Sequence, residues 1–314
     1  MMKAVFIDAN ASLAVVARRL HQPDDLALLV NEQPDLTPEQ VPEVMGDAEI
    51  LIVDHTALPV DIARQCKGLK HVVFLGTGAR SYMNPEALAE AGIAVHIIKG
   101  YGDTAVAECA FALMWASAKG FAQMDRAMRV GNWLRTDGIE LTGKTLGLIG
   151  FGGIAAEMAR LAGGAGMKVI AYNRSAKAYP GVEFRDIETV LAQSDVLSLH
   201  LLLNDETRGF ISTSRIAQMR DGVILINTAR GAIVDEQALI AGLVSKKIGH
   251  AGLDVFDIEP LPAEHPLTKL ENVTLSAHSA FRTPEASDNL IEAALNHCRR
   301  ISGQGQQRSR GGSL

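Results

Sequence analysis

The chain has 314 residues, 47% of them apolar and 21% charged, with a formal net charge of −6. That length suits about two domains with sizeable cores, and the acidic balance excludes a basic nucleic-acid footprint over the whole protein. Three scattered cysteines, Cys66, Cys109 and Cys298, form neither a zinc spacing nor a disulfide framework. They fit a reducing compartment. The opening MMKAVFIDAN is neither a secretory signal nor a membrane span, so the expectation is a cytoplasmic protein with no membrane or nucleic-acid partner.

In chain order, KAVFID at 3–8, EILIVD at 49–54, LKHVVFLG at 69–76 and GIAVHII at 92–98 are short apolar runs rich in strand formers. Stretches with helical spacing, such as 10–20 and 85–91, lie between them. This alternation predicts a parallel sheet with helices on its faces. DTAVAECAFALMWASAKG at 103–120 predicts a long helix, capped by Asp103 or Thr104 and ended by Gly120. It is apolar most of the way round, which suits burial between domains or between subunits. A second alternation starts at KTLGLIGFG, with strands expected at 145–149, 168–172, 195–200, 223–227, 249–253 and 273–276. PEASDNLIEAALNHCRR at 284–300 predicts a helix opened by proline that packs back on the first unit. The Gly-rich, basic stretch 301–314 is expected to be disordered. The fold class expected is α/β, with two doubly wound parallel-sheet domains.

Within LGLIGFGGIA, Gly150, Gly152 and Ala155 fall at G-x-G-x-x-A, with Gly153 and Ile154 inside the run. An apolar strand precedes the motif and a helical stretch follows, as a dinucleotide site requires. Gly150 permits the tight turn, Gly152 lets backbone approach a pyrophosphate, and Ala155 allows close helix–strand packing. The next strand, KVIAYN, ends at Asn173, 23 residues beyond Gly150. An acid in that place would bond the adenosine ribose of NAD. Asn173 brings no negative charge, and Arg174, Ser175 and Lys177 follow. A 2′-phosphate is attracted by this set, so NADP is favoured over NAD, with NAD use left open.

Three later segments put polar residues just beyond apolar strands, where ligands of parallel sheets bind. Arg230 in VILINTARGAIVDEQAL offers a rigid fork to a carboxylate, and Thr228 in the same segment is counted with the cofactor contacts. In GLDVFDIEP, Asp254 can orient a ligand or cap local backbone. Glu259 can back a histidine, and a carboxylate beside an imidazole favours its protonated form. His278 in SAHSA can protonate a substrate oxygen. His200 ends another apolar strand and can contact nucleotide. No H-E-x-x-H or comparable metal cluster occurs.

The segments GYGDTAVAE, GKTLGLIGFGGIA, DETRGFI, LINTARGAIVDEQAL, GLDVFDIEP and SAH together resemble the D-2-hydroxyacid dehydrogenase family over nearly all of 50–298. The resemblance implies a Rossmann nucleotide domain, 100–283, inserted into a flavodoxin-like catalytic domain made of 1–99 and the returning helix 284–300. It implies that Arg230 binds the substrate carboxylate and carbonyl oxygen, that Glu259 pairs with His278 as the acid–base, and that Asp254 helps hold the nicotinamide end. The loop LGTGARS is similar to the family's substrate loop, with Thr77 and Gly78 as backbone donors. Arg80 either reaches an anionic group on the substrate or points to solvent. This chain departs from the family at Ser81, Tyr82 and Met83, and at Leu202, which stands where a proline is usual. The basic step after Tyr172 resembles the NADP-using glyoxylate and hydroxypyruvate reductases of the family. Implied are a homodimer and reversible reduction of a small 2-keto acid to a D-2-hydroxy acid. The alternative is a non-catalytic nucleotide-sensing, corepressor-like protein on the same scaffold.

Overall fold

The computed structural model describes residues 2–303. The chain divides into two compact units, one drawn from residues up to Gly102 and from Thr283 onward, the other from Asp103–Arg282.

Among the described residues, the first unit holds a five-stranded sheet of β1 (Lys3–Phe6), β2 (Ala27–Val30), β3 (Ile50–Val53), β4 (His71–Phe74) and β5 (Ala94–Ile97). Its order is β2-β1-β3-β4-β5, and every pairing is parallel. The central strand β3, ILIV, is buried along its whole length, as expected of a parallel strand covered on both faces. The helix Pro284–Ile301 belongs to this unit. Thr283 caps it by accepting a hydrogen bond from Ala286 N at 3.1 Å. It buries Leu290, Ile291, Ala294, Leu295 and Cys298 with Phe6, Ile52 and Val73 of the sheet. The helix runs through Ile301, one residue into the stretch expected to be disordered. Residues 304–314 of that stretch lie outside the described residues.

The second unit holds β6 (Thr145–Ile149), β7 (Lys168–Tyr172), β8 (Val182–Phe184), β9 (Val196–Leu199), β10 (Val223–Asn227), β11 (Ile248–Leu253) and β12 (Val273–Leu275). They form a parallel sheet ordered β12-β11-β10-β9-β6-β7-β8. Read from β8, this is the doubly wound dinucleotide-binding order with one further strand. The strand order reverses between β6 and β9, so the loops after these strands flank the expected ligand position. The helix Asp103–Lys119 covers one face of this sheet. Its Ala107, Ala110, Leu113, Met114 and Ala118 pack with Leu146, Leu148, Ala155, Met158 and Ile226. Its alanines are what allow that close approach. No helix among the described residues is long and apolar enough to cross a membrane.

Two strands escape the sequence pattern. Both β2 and β8 are edge strands, each half-exposed along its length: β2 is a four-residue apolar run, ALLV, and β8 is the three-residue VEF, broken by a glutamate.

A buried ion pair ties the C-terminal helix to the first unit. Arg299 donates through Nε and Nη2 to the two carboxylate oxygens of Asp25, at 2.8 and 2.7 Å. The side chains are only 13% and 6% exposed. The Arg299 guanidinium holds the Asp25 carboxyl below its usual range. Breaking such a pair strands a buried charge, so Asp25→Asn should lower stability by about 3 kcal/mol in urea unfolding at pH 7. Because the folded-state pKa is depressed, the contribution is complete above the unfolded carboxyl's pKa and is lost as pH falls through the folded one. The gap between wild type and variant should therefore close in acid; a gap unchanged at low pH would refute the linkage.

Candidate functional site

The glycine loop follows β6 directly. Gly150 adopts φ +86°, and a Cβ there would stand 2.6 Å from the carbonyl oxygen of His200. Only glycine meets both demands. Gly152 caps the helix Gly153–Gly164 without any side-chain hydrogen bond, and a Cβ on it would meet nothing within 4 Å. The position is an open cradle at the start of a helix, where amide groups and the helix dipole favour an anion. Ala155 is fully buried under the loop, and Ile154 packs at the edge of the same core. Gly153 has a different constraint: the carboxylate of Asp103 fills the space of its missing Cβ, with Oδ2 1.7 Å from that point. Burial and the neighbouring Glu157 raise the Asp103 pKa. The sequence marks Asp103 only as a helix cap; its contact with the glycine loop requires the fold.

At the end of β7, Asn173 ties the loops together. Its Oδ1 accepts from Phe151 N at 3.1 Å, and its Nδ2 donates to the carbonyl and hydroxyl of Ser175 at 2.9 and 3.0 Å. Lys177 donates to the Phe151 carbonyl and lies over the Phe151 ring. Arg174 donates to Glu206 at 2.6 Å, with both side chains exposed. The basic step is present as a cluster, but its cations have protein partners.

Two neighbouring strands end in polar atoms that lack partners. His200 follows β9 and Thr228 follows β10, and these strands pair in register through Leu199 and Asn227. His200 Nε2 and Thr228 Oγ1 are both sealed from solvent without a hydrogen bond. Burial lowers the His200 pKa to about 4, so the ring is neutral near pH 7. Buried polar atoms are nearly always satisfied. Two orphans beside the glycine loop fit a site that receives a polar ligand, as NAD(P) would be.

The acid–base candidates lie in the same unit. Glu259 Oε2 meets His278 Nδ1 at 2.6 Å, while Oε1 accepts from Phe256 N at 2.9 Å. His278 has φ +47°, an uncommon conformation for a residue with a side chain. The loop that imposes it hangs on Asp254, which is fully buried. The Asp254 carboxylate accepts from Ser276 Oγ at 2.6 Å and from the amides of Ser279 and Ala280, both at 3.0 Å. Its carbonyl accepts from His278 N at 2.7 Å. Of the two sequence readings of Asp254, the observed bonds are those of a backbone cap.

Arg230 stands in an extended conformation and donates to the carbonyl of Ala229 at 2.6 Å. Buried Asn227 shapes its turn: Oδ1 accepts from Ala229 N and Nδ2 donates to the Arg230 carbonyl, both at 3.0 Å. A Cβ at Gly231 would stand 2.0 Å from the carbonyl carbon of Phe256, so this glycine lets the Arg230 turn lie against the segment leading to Glu259. Asn227 and Ser276 were not among the expected site residues; each is one polar side chain in an apolar strand or at its end, a signal visible only in retrospect. In the first unit, Thr77 is exposed after β4, Gly78 opens a single turn over Ala79–Ser81, and Arg80 forms a two-point ion pair with exposed Glu86.

A doubly wound sheet with a glycine loop at its switch point defines a dinucleotide-binding unit, and an acid-backed histidine on the same sheet is suited to proton transfer. Residues 111–280 match the model of the NAD-binding domain of D-isomer specific 2-hydroxyacid dehydrogenases. The chain is 38% identical over 257 residues to a hydroxypyruvate reductase of Thermotoga maritima, covering 80% of this chain and 84% of that protein. It is 38% identical over 255 residues to a glyoxylate reductase of Aeropyrum pernix, covering 74% and 76%. The crystal structure of a glyoxylate reductase from Paecilomyes thermophila superposes with a TM-score of 0.83 at 31% identity, covering 97% of this chain and 96% of that one. The chain belongs to the D-isomer specific 2-hydroxyacid dehydrogenase family. It is accordingly an NAD(P)-dependent oxidoreductase acting on small 2-keto and 2-hydroxy acids.

Asp254→Asn replaces an acceptor-only group by one that turns an N–H₂ toward donors. On the reading of His278 as the proton donor, the variant should fold less stably and lose at least tenfold in turnover, an ångström-scale misplacement of a reacting group costing up to about 100-fold. A thermal melt and a rate measurement check this together; wild-type turnover would remove Asp254 from the positioning of His278.

Proposed function

We propose that this protein reduces a small 2-keto acid, glyoxylate- or hydroxypyruvate-like, to the D-2-hydroxy acid and runs the reverse reaction, with NADPH favoured over NADH. The observation that supports this most is the Glu259–His278 contact of 2.6 Å, on a loop fastened by Asp254. Relatives named hydroxypyruvate reductase and glyoxylate reductase support the substrate class.

Bound NAD(P)H would supply the hydride. The chain's own residues divide the remaining work. Arg230 offers its fork to the substrate carboxylate and polarises the carbonyl oxygen, an interaction that strengthens as that oxygen gains charge. Glu259 holds Nδ1 of His278, leaving Nε2 to give a proton to the oxygen in reduction and to take it back in oxidation. Asp254 serves the nicotinamide end indirectly, through the loop it caps. Gly150, Gly152, Gly153, Ile154 and Ala155 would cradle the pyrophosphate. His200 Nε2 and Thr228 Oγ1 would gain partners from the cofactor. Asn173, Arg174, Ser175 and Lys177 would receive the adenosine 2′-phosphate, with the cations exchanging their present protein partners for it.

In the first unit, Thr77 and Gly78 are proposed as backbone donors to a carboxylate. The Arg80–Glu86 pair supports the solvent-facing reading of Arg80 over recognition of a second substrate anion. The strand order β2-β1-β3-β4-β5 is the flavodoxin-type order, so we read this unit as the catalytic domain and the second as the nucleotide domain. A homodimer is proposed as well. Phe121, Met128, Val130 and Trp133 are 56–82% exposed on one segment, and an apolar patch of this kind suits a protein partner. Sedimentation as a monomer at micromolar concentration would exclude it.

Absorbance at 340 nm with a panel of keto acids tests the activity, run with NADPH and NADH in parallel. Glyoxylate and hydroxypyruvate should turn over, with NADPH giving the higher kcat/KM. A strong NADH preference would reject the reading of Asn173 and its basic neighbours. Tight nucleotide binding without turnover of any acid would favour nucleotide sensing instead. His278→Ala should lower kcat by about 100-fold or more while the NADPH dissociation constant stays close to wild type; an unaffected kcat would reject the proton-donor role.

A further inference from the structure

The end of β7 carries Asn173 where an acid would select NAD, but a carboxylate is nevertheless present at this edge of the sheet. It comes from the loop after β9. Glu206 reaches Arg174 at 2.6 Å. The two are 32 residues apart in sequence, and neither is packed against apolar neighbours: their side chains are 83% and 72% exposed.

The backbone on both sides of this pair is well held. Asn204 Oδ1 accepts from the amides of Glu206 and Thr207, both at 3.0 Å. Thr207 Oγ1 accepts from Asn204 N at 2.8 Å and donates to the Leu202 carbonyl at 2.6 Å. The turn therefore presents Glu206 from a fixed base. Opposite it, Asn173 bonds both Phe151 N and the Ser175 carbonyl, which holds the backbone on either side of Arg174. Lys177 is already committed to the Phe151 carbonyl. Arg174 is thus the cation of this step whose partner is another charge, and that charge has the same sign as a phosphate.

We propose that Glu206 tunes the choice between NADPH and NADH by occupying Arg174 in competition with the 2′-phosphate. This rests on the reading of residues 173–177 as the adenosine end of the site. A 2′-phosphate is a stronger acceptor for a guanidinium than one carboxylate, so it can displace Glu206, but only by breaking an existing pair. NAD, lacking that phosphate, leaves the pair intact. Glu206 therefore lowers affinity for the phosphorylated cofactor without touching the other, and narrows the preference that Asn173 and Arg174 create.

The test is calorimetric titration of the protein with NADP⁺ and with NAD⁺, using wild type, Glu206→Gln, Arg174→Gln and the double variant, with thermal melts to confirm equal folding. Exposed ion pairs are weak, so Glu206→Gln should bind NADP⁺ about two- to fivefold more tightly, with NAD⁺ affinity unchanged. Arg174→Gln should lose about tenfold for NADP⁺, and adding Glu206→Gln to it should restore nothing. An equal gain for both cofactors, or a gain that survives in the double variant, would mean that Glu206 acts through general charge and would overturn the competition. If Arg174→Gln loses affinity but Glu206→Gln gains none, the competition fails while the 2′-phosphate reading stands. If Arg174→Gln binds both cofactors as wild type does, the 2′-phosphate reading itself fails.

Discussion

The buried carboxylate of Asp254 is the constraint on which the placement of His278 depends. A carboxylate taken wholly out of water is costly unless hydrogen bonds replace its hydration. Here the replacement comes from Ser276, Ser279 and Ala280, which bracket His278 in sequence. The same bonds that stabilise the buried group force the loop into one path. That path puts His278 at φ +47°, a conformation that survives only where the surroundings over-determine it. Glu259 then orients the ring from the other side and is itself held by Phe256 N. Satisfying one buried group and aiming one imidazole are the same act in this structure.

Arg230 is placed by parallel logic with a neutral group. Asn227 ends β10 inside the core and uses both ends of its amide to close the turn that carries Arg230. Gly231 lets that turn approach Phe256, which precedes Glu259 by three residues. The guanidinium and the acid partner of His278 are therefore carried on adjoining segments at the carboxyl ends of β10 and β11, the edge where parallel sheets bind ligands. Within this unit, backbone contacts and buried polar groups set the segments, and the Glu259–His278 bond then fixes the imidazole.

Much of this was legible in the residues. Central strands such as ILIV and VILIN are buried on both faces and read as unbroken apolar runs, and the glycine loop could be recognised from its strand-to-helix context. The edge strands β2 and β8 could not, because a half-exposed strand of three or four residues leaves no distinct period. Arg230, Glu259 and His278 stood out as polar residues after apolar strands, and family resemblance sharpened their roles. Partnerships across sequence were the harder part. Asp103 against Gly153, Asn227 within the Arg230 turn and Glu206 on Arg174 each join segments that only the sheet order brings together. The long helix at 103–119 shows the same limit: its apolar surface announced burial, and the surface it covers is the seven-stranded sheet of its own unit together with the helix Gly153–Gly164.

The glycine-loop region differs from the surroundings of Asp254 in what it leaves unfinished. Around Asp254 the hydrogen bonds are complete within the protein. Around the glycine loop, His200 Nε2 and Thr228 Oγ1 are buried and unbonded, and Gly152 opens onto free space. An unpaired buried group costs about 1–3 kcal/mol, a penalty the fold carries at both atoms. On the proposed assignment of both atoms to the cofactor, relief of that penalty on binding adds to affinity. It also gives NAD(P) a stabilising effect on the unit that scales with its free concentration over its dissociation constant. Burial also keeps the His200 ring neutral near pH 7, and a neutral imidazole can donate or accept according to the atom it meets.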